Sequence, residues 1–326
     1  MTDRGAKDLS ASIKQKLLNY ARKTGLDFNA PLIRFAMERL LFRLSVSPYR
    51  EQFYLKRAML FVLWDNNAHR PTKDLDLLFI PEHDSEQLVG IFREIAMIKV
   101  TGDGIQIDPE SVQAEQIREE STYGGLRIKL ICKLGTIQIP LQIDVGLGDS
   151  VYPSTEISNF PSLLDFDIPR IRAYPIETVV AEKLQTMVEL GMRNSRLKDY
   201  YDIYYLSQKF NFNGAELSEA VQLTFQRRKT AWPDVCPIGL SKAFATEPQK
   251  QTQWQAFIRK NRLEAPNELS EIVDRIVDWV LPIFLDPSIQ NQEWNSTSNW
   301  HRKNALERED CQYLEPNFDQ TKCPVF

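Results

Sequence analysis

Apolar positions recur at two different spacings along the chain, and each spacing predicts a different kind of element. Over residues 10–47 they return at helical intervals with charged residues between them. Such spacing places an apolar face on each helix. We therefore predict a helical lead-in over residues 1–48. The apolar positions are Ile13, Leu17, Leu18, Ala21, Leu32, Ala36, Leu40 and Leu41.

From about Phe53 the apolar segments become shorter. FYLK predicts a strand, AMLFVLWDNN predicts an apolar helix, and DLDLLFI predicts a second strand that Pro81 ends. Asp84 or Ser85 can cap a following helix that reaches about Ile98. Strand and helix thus alternate in this part of the chain.

A further strand is predicted around residues 112–117, followed by a hairpin in which RIKLICKL and TIQIPLQIDV flank Gly135. This order indicates a mixed sheet backed by helices over residues 49–155. A proline-interrupted linker, FPSLLDFDIPRIRAYP, then leads into a helical domain within residues 156–286. Residues 287–326 lack a sustained period and are predicted to form a mostly irregular tail. The fold class is α+β.

Composition narrows the function classes. The 326 residues are 43% hydrophobic, which allows a sizeable core, and the net charge of −4 gives no global attraction to nucleic acid. The longest apolar runs are far shorter than the roughly 20 residues of a membrane span, so we expect a cytoplasmic protein without membrane partners. The four cysteines and three histidines lack metal-site or disulfide spacing.

Two aspartates stand one residue apart inside the apolar strand DLDLLF. Side chains at positions i and i+2 of a strand share a face, so Asp74 and Asp76 lie side by side. Two adjacent carboxylates repel each other unless a positive group lies between them. A divalent cation is one answer, because Mg²⁺ binds carboxylates together with substrate phosphates. The alternative is an exposed edge strand whose acids pair with Arg70 and Lys73.

A third carboxylate favours the metal hypothesis. Alternation in TIQIPLQIDV places Asp144 on the face opposite the apolar residues, where a neighbouring strand could hold it beside Asp74 and Asp76. Three acids from two strands form a ligand set for two metal ions about 3.5–4 Å apart.

The helical half contains charged residues at positions that predict burial. Lys183 falls on the apolar stripe of ETVVAEKLQTMVEL, while Asp199 and Asp202 share a face with apolar residues in SRLKDYYDIYYL. One interpretation is a buried ion pair that locks two helices together. Another has Lys183 contacting a triphosphate, with either aspartate orienting it or acting as a base. The two interpretations are compatible.

These segments together resemble the AbiEii/AbiGii nucleotidyltransferase toxin family, the toxin side of bacterial toxin–antitoxin or abortive-infection pairs. The similar segments occur in family order: FYLKRAMLFVLW, RPTKDLDLLF, IPLQIDVGLGD, ETVVAEKLQTMVELG and NSRLKDYYDIYYLS. The resemblance implies a polymerase-β-like nucleotidyltransferase core followed by a helical domain. It also implies that Asp74 and Asp76 bind the metal, that Asp144 matches a further acid, and that Lys183 lies near the triphosphate. Asp199 or Asp202 would be the acid of the last motif.

One position departs from the family. Where the family usually has a glycine after the lysine of the first strand, this chain has Arg57. Glycine lets phosphate approach the backbone, whereas an arginine blocks that path or contributes its own charge. Lys56, Arg57, Lys183 and Arg196 are the predicted nucleotide-binding residues. Lys56 has an alternative as an ordinary solvated lysine at the end of a strand. The run QRRKT, residues 226–230, is either a basic patch for RNA or a solvated surface.

The predicted function is a nucleotidyltransferase that uses Mg²⁺ or Mn²⁺ to move a nucleoside monophosphate from an NTP to an acceptor hydroxyl. The resemblance suggests a tRNA 3′ end or a protein as acceptor, inhibited growth or translation as the outcome, and a cognate antitoxin as partner. We expect Asp76→Asn and Lys183→Ala to abolish transfer and leave the fold intact. Two alternatives remain: a decayed nucleotide-binding or interaction protein, which Arg57 motivates, and a phosphotransferase that modifies a protein serine.

Overall fold

The computed structural model describes residues 3–65, 72, 74–80, 85–117, 125–155, 157–297 and 299–302. Within them the α+β prediction is confirmed: a mixed sheet carries helices on both faces. The helices are α1 Asp3–Thr24, α2 Asn29–Ser45, α3 Ala58–Asp65, α4 Ser85–Met97, α5 Ile176–Leu190, α6 Leu197–Lys209, α7 Gly214–Arg227, α8 Lys242–Ala245, α9 Pro248–Asn261 and α10 Leu269–Leu285. The strands are β1 Phe53–Lys56, β2 Asp74–Phe79, β3 Ile105–Ile117, β4 Gly125–Leu134, β5 Ile137–Leu147, β6 Ile157–Asn159, β7 Arg170–Ala173, β8 Phe212–Asn213, β9 Gln292–Trp294 and β10 Trp300–Arg302.

The main sheet has the strand order β3-β4-β5-β2-β1-β7-β6 in the described part of the chain. The predicted hairpin around Gly135 is confirmed as the antiparallel pair β4 and β5. Strand β2 lies parallel to β5 and antiparallel to β1, and β1 lies parallel to β7. The two central strands therefore carry the two aspartate motifs as direct neighbours.

The main sheet buries one apolar face against the first helices of the chain. Leu75 and Leu77 of β2 lie beside Ile143 and Val145 of β5 and are almost fully buried. Phe53 of β1 belongs to this face, and its ring meets that of Phe92 on α4 at 5.9 Å, edge to face. Alternation along the strands therefore sends the charged residues to the opposite face, where α5 and α6 lie.

The proline-interrupted segment was predicted to be a linker, and the structure corrects this. It forms β7, which adds to the main sheet beside β1 and then pairs with β6. Ile171 and Ala173 of β7 are buried while Arg170 is exposed, which is the alternation of a half-buried strand. A strand of four residues gives too short a pattern to identify from the sequence.

The segment after α10 was predicted to be a mostly irregular tail. Its described part contains a 3-10 turn, Pro287–Asn291, and the strands β9 and β10, which form a small sheet with β8. Trp294 of β9 is fully buried, with ring contacts to Trp279 at 5.8 Å and Trp300 at 5.7 Å. Burial of large aromatic rings accounts for the order of this segment.

In the part of the chain that the structure describes, no helix combines the length and the apolar character needed to cross a bilayer.

Candidate active site

A row of charged side chains crosses the main sheet on the face opposite the first helices. Directly paired positions place Lys56 of β1 beside Asp76 of β2, Asp76 beside Asp144 of β5, and Asp144 beside Arg127 of β4. Directly paired residues in neighbouring strands point to the same side. The row therefore runs positive, negative, negative, positive, and Asp74 lies on the same face two positions before Asp76.

The two carboxylates of β2 have raised pKa values, chiefly because they are withdrawn from solvent. Burial raises the pKa of Asp76 most strongly, the positive charge of Arg57 opposes this, and Asp144 raises the pKa further. The pKa of Asp74 is likewise raised, first by burial and then by the charge of Asp144. A raised carboxyl pKa means that the ionised form is costly in the folded protein. Additional positive charge at this site would relieve that cost.

Three cationic side chains approach the aspartates. The Arg57 guanidinium donates from Nη1 to Asp76 Oδ1 at 2.9 Å, and Arg127 binds both oxygens of Asp144 at 2.8 and 2.9 Å. Lys198 of α6 lies close enough to lower the pKa of both Asp74 and Asp76. This arrangement of acids and bases on one face is suited to an anionic substrate with its cation.

Arg127 and Lys198 were not predicted from the sequence. The register counted back from the turn at Gly135 places Arg127 opposite Asp144, so the hairpin itself carried that signal. Nothing local distinguishes Lys198 from any other helical lysine. Its position depends on where α6 docks.

Lys56 was predicted to reach a phosphate, but its ammonium group is buried in a separate ion network. It donates to Asp149 Oδ2 at 2.6 Å, lies 3.1 Å from Glu182 Oε1 of α5, and rests 4.7 Å from the centre of the Tyr174 ring. The alternative of a solvated lysine is contradicted, because the residue is only 4% exposed. Lys56 thus joins the main sheet to α5.

The predicted basic patch at the end of α7 contributes to the same junction. The Arg228 guanidinium lies 3.5 Å from Asp149 and 3.4 Å from Glu182, and Arg227 donates from Nε to the Gly148 carbonyl at 2.6 Å. Arg228 is therefore not part of an open basic surface. Lys229 is exposed.

Lys183 lies between two buried carboxylates, as the interpretation of a buried ion pair predicted. Its ammonium group is 2.6 Å from Asp199 Oδ1 and 2.8 Å from Asp202 Oδ2, and Arg196 donates from Nε to Asp199 Oδ2 at 2.9 Å. These contacts bind α5 to the first turn of α6. Because Lys198 belongs to that same turn, the cluster also positions a lysine at the aspartates.

Comparison with known proteins identifies the family. A model of the AbiEii nucleotidyl transferase toxin of type IV toxin–antitoxin systems matches residues 39–281. The chain belongs to the AbiEii family. This membership makes it a nucleotidyltransferase toxin by class and implies a cognate antitoxin as partner.

Structural neighbours of this AbiEii protein come from Helicobacter pylori. JHP933 is 16% identical, with 77% of this chain and 90% of that chain covered and a TM-score of 0.45. A candidate nucleotidyltransferase is 15% identical, with 77% and 92% covered and a TM-score of 0.42. No protein with a curated description matches the chain.

The predicted three-carboxylate metal set is not gathered into one cluster. Among the described residues of this AbiEii protein, no group of three or more His, Cys, Asp and Glu side chains is arranged to hold a metal ion. Arg127 takes both oxygens of Asp144, and Arg57 takes one oxygen of Asp76. Asp74 and Asp76 nevertheless fit Mg²⁺, which usually takes one or two carboxylates and completes its shell with water and phosphate oxygens.

The pKa values of Asp199 and Asp149 predict how the stability of the fold depends on pH. Burial raises the pKa of Asp199, but the charges of Lys183 and Arg196 outweigh it and lower the pKa from 3.8 to about 2. Burial and the charges of Lys56 and Arg228 oppose each other in the same way at Asp149, whose pKa is also lowered to about 2. Each group stabilises the AbiEii fold above its unfolded pKa, and that stability is lost as the pH falls through the folded value.

We therefore expect the free energy of unfolding to drop between about pH 4 and pH 2, by roughly 2 kcal/mol for each of these carboxylates. Urea unfolding at a series of acid pH values measures the drop. The Asp199→Asn variant, which has one titrating group fewer, should show a smaller decrease over the same interval. An equal decrease in wild type and variant would contradict the assignment.

Arg57 adopts a backbone conformation that favours glycine. Its φ of +58° lies in the left-handed region at the junction of β1 and α3. A residue with a Cβ atom costs about 1–2 kcal/mol there, whereas glycine does not. The AbiEii resemblance predicts a glycine at this position, and the backbone of Arg57 has a conformation that glycine adopts without strain.

We expect Arg57→Gly to be about 1 kcal/mol more stable than Arg57→Ala, since both variants lose the ion pair to Asp76 but only alanine keeps the left-handed strain. Urea midpoints of the two variants provide the comparison. Equal midpoints would show that the position does not hold a left-handed backbone.

Proposed function

We propose that this chain is a nucleotidyltransferase toxin that uses Mg²⁺ or Mn²⁺ to transfer a nucleoside monophosphate from an NTP to a hydroxyl group of a cytoplasmic acceptor. The acceptor is a tRNA 3′ end or a protein side chain, and its modification inhibits translation or growth. Family membership supports the transferase class. The cation, the nucleotide and the acceptor are the parts that we propose.

The observation that carries this proposal is the group of aspartates on β2 and β5 with cations around it. Asp74, Asp76 and Asp144 share one face of the main sheet, and Arg57, Arg127 and Lys198 approach them. In a triphosphate with its cation, the cation can face the aspartates while the phosphates face Arg57 and Lys198. The charges of the site therefore complement those of the complex.

Each group has a role in this reaction. Asp74 and Asp76 would hold the divalent cation, which when bound supplies Lewis-acid stabilisation of charge on the phosphates. Arg57 and Lys198 bind phosphate oxygens and keep the α-phosphate in line with the acceptor. Arg127 orients Asp144. The acceptor oxygen bonds to the α-phosphorus, the bond to the bridging oxygen breaks, and pyrophosphate leaves with the hydroxyl proton released.

In this proposal the cluster of Lys183, Asp199 and Asp202 positions other residues and does not contact the substrate. The two carboxylates are buried and paired with the same ammonium group, so neither is placed to take a proton from a substrate. Their contacts support α6, which carries Lys198 to the site. Lys183 is then a positioning residue rather than a phosphate ligand.

The test incubates the purified protein with Mg²⁺, total bacterial tRNA and each NTP labelled at the α-phosphate. We expect label from one or more nucleotides to appear in RNA or protein. The Asp74→Asn/Asp76→Asn protein, which retains the fold but not the carboxylates, should transfer none. Label at equal levels in both proteins, or in neither, would contradict the proposal.

One observation favours a second candidate function. The ion pair between Arg57 and Asp76 occupies an oxygen that the cation would use. A protein in which that pair is permanent would bind nucleotide without turning it over, as a decayed transferase. This candidate would be supported against the first if the wild-type protein transfers no label and if Asp76→Asn binds nucleotide as well as the wild type does.

A further inference from the structure

Arg57 and a divalent cation would compete for the same carboxylate. The guanidinium lies 2.9 Å from Asp76 Oδ1, and Asp76 is 8% exposed, so little of this carboxylate faces solvent. The left-handed backbone of Arg57 directs its side chain to this place from the start of α3. The contact is therefore built into the junction between β1 and α3.

The carboxylate of Asp144, on the neighbouring strand β5, does not relieve this competition. Both oxygens of Asp144 accept hydrogen bonds from Arg127. A cation that approaches Asp76 meets the positive charge of Arg57 at close range, and like charges at such distances repel strongly in a partly buried site. The contact between Arg57 and Asp76 therefore weakens cation binding at Asp76 for as long as it persists.

Arg57 is able to move, and a triphosphate gives it a reason to do so. Its side chain is 33% exposed, compared with 12% for that of Asp76, so the guanidinium is the more accessible partner. Planar guanidinium groups bind phosphate oxygens in paired, charge-assisted hydrogen bonds. The incoming phosphates can therefore replace the carboxylate as the partner of Arg57.

We propose that Arg57 is an exchange residue that couples cation binding to nucleotide binding. In the nucleotide-free protein it pairs with Asp76 and keeps the cation affinity low. When a triphosphate arrives, Arg57 transfers to the phosphates and Asp76 becomes available to the cation. This inference rests on the proposed function, and it adds that the free cation and the free protein bind each other only weakly.

Replacement by glycine separates the two affinities, because glycine suits the backbone at φ +58° and removes the guanidinium. Loss of the competing charge should tighten Mn²⁺ binding in the absence of nucleotide by about tenfold or more. Loss of the phosphate ligand should weaken metal-free nucleotide binding by about tenfold or more. A residue with a purely structural role would not move the two affinities in opposite directions.

The experiment measures Mn²⁺ binding by the loss of the free-ion signal in electron paramagnetic resonance. It measures binding of each of the four NTPs by equilibrium dialysis in EDTA. Wild type, Arg57→Gly and Arg57→Gly/Asp76→Asn are compared. The double variant should lose the gain in Mn²⁺ affinity, since the gain depends on Asp76.

A matched control is present in the chain. Arg262 follows the last turn of α9 with φ +53°, so Arg262→Gly makes the same substitution in the same backbone geometry in the helical part of the protein. Its Mn²⁺ and nucleotide affinities should equal those of wild type.

The outcomes distinguish this inference from the proposed function. If wild type and Arg57→Gly bind Mn²⁺ with equal affinity, the exchange role of Arg57 is wrong, but the proposed metal-dependent function is not contradicted. If neither binds Mn²⁺ even with an NTP present, the metal-dependent function itself fails and the inference fails with it. A change of both affinities in the same direction would also overturn the exchange role.

Discussion

The Asp76→Asn protein is expected to lose nucleotidyl transfer by at least about a thousandfold while unfolding at no lower temperature than wild type. The loss follows because the cation stabilises charge by several kcal/mol and each 1.4 kcal/mol corresponds to tenfold in rate. The retained stability follows because burial raises the pKa of Asp76, so its ionised carboxylate is costly in the folded protein at neutral pH. Asparagine has nearly the same shape and no charge.

Asp108 provides the matched control for this substitution. It lies on β3, which is the edge strand of the main sheet and is separated from β2 by β4 and β5. Its carboxylate pairs with Lys133 at 3.5 Å. The Asp108→Asn protein should retain transfer within about twofold and stability within about 0.5 kcal/mol, as for other surface substitutions. Transfer by Asp76→Asn at the wild-type rate would remove Asp76 from the site.

Lys183→Met has the largest expected effect on stability, a loss of about 3–5 kcal/mol. The substitution leaves the carboxylates of Asp199 and Asp202 buried, at 1% and 0% exposure, without the ammonium group that they share. Asp199 keeps its ion pair with Arg196. Removal of one partner from a buried ion pair is strongly destabilising. Urea unfolding at neutral pH measures the loss.

A second variant shows whether charge causes the loss. Lys183→Met/Asp202→Asn removes one cation and one anion. We expect it to recover more than half of the stability that Lys183→Met loses, because replacing both partners of a buried ion pair by neutral residues costs much less than removing one partner alone. If the double variant is less stable than Lys183→Met, packing rather than charge dominates at this position.

This expectation differs from the one drawn from the sequence. Periodicity identified Lys183 as facing inward, and the role at the triphosphate that the family resemblance implies led to the expectation that Lys183→Ala abolishes transfer with the fold intact. The contacts with Asp199 and Asp202 make the lysine part of the structure that joins α5 to α6. Loss of activity in a Lys183 variant therefore has to be measured together with its stability.

The strands at the centre of the sheet were predictable, since their patterns are long or strictly alternating. FYLK and DLDLLF match β1 and β2, and the hairpin around Gly135 matches β4 and β5. Strand β7 was missed because its pattern covers only four residues. Order in β9 and β10 was missed because it depends on pairing with β8, which is distant in sequence.

The sequence by itself determined which side chains share a face. A strand alternates and a helix repeats every 3.6 residues, so the common face of Asp74 and Asp76 and the inward position of Lys183 follow from local backbone geometry. The tertiary structure alone decided which charge meets which. Strand order placed Asp144 of β5 beside Asp76 of β2, and helix docking placed the ammonium group of Lys56 against Asp149 and Glu182 instead of at an open phosphate site. Such pairings depend on distant parts of the chain, and no local period encodes them.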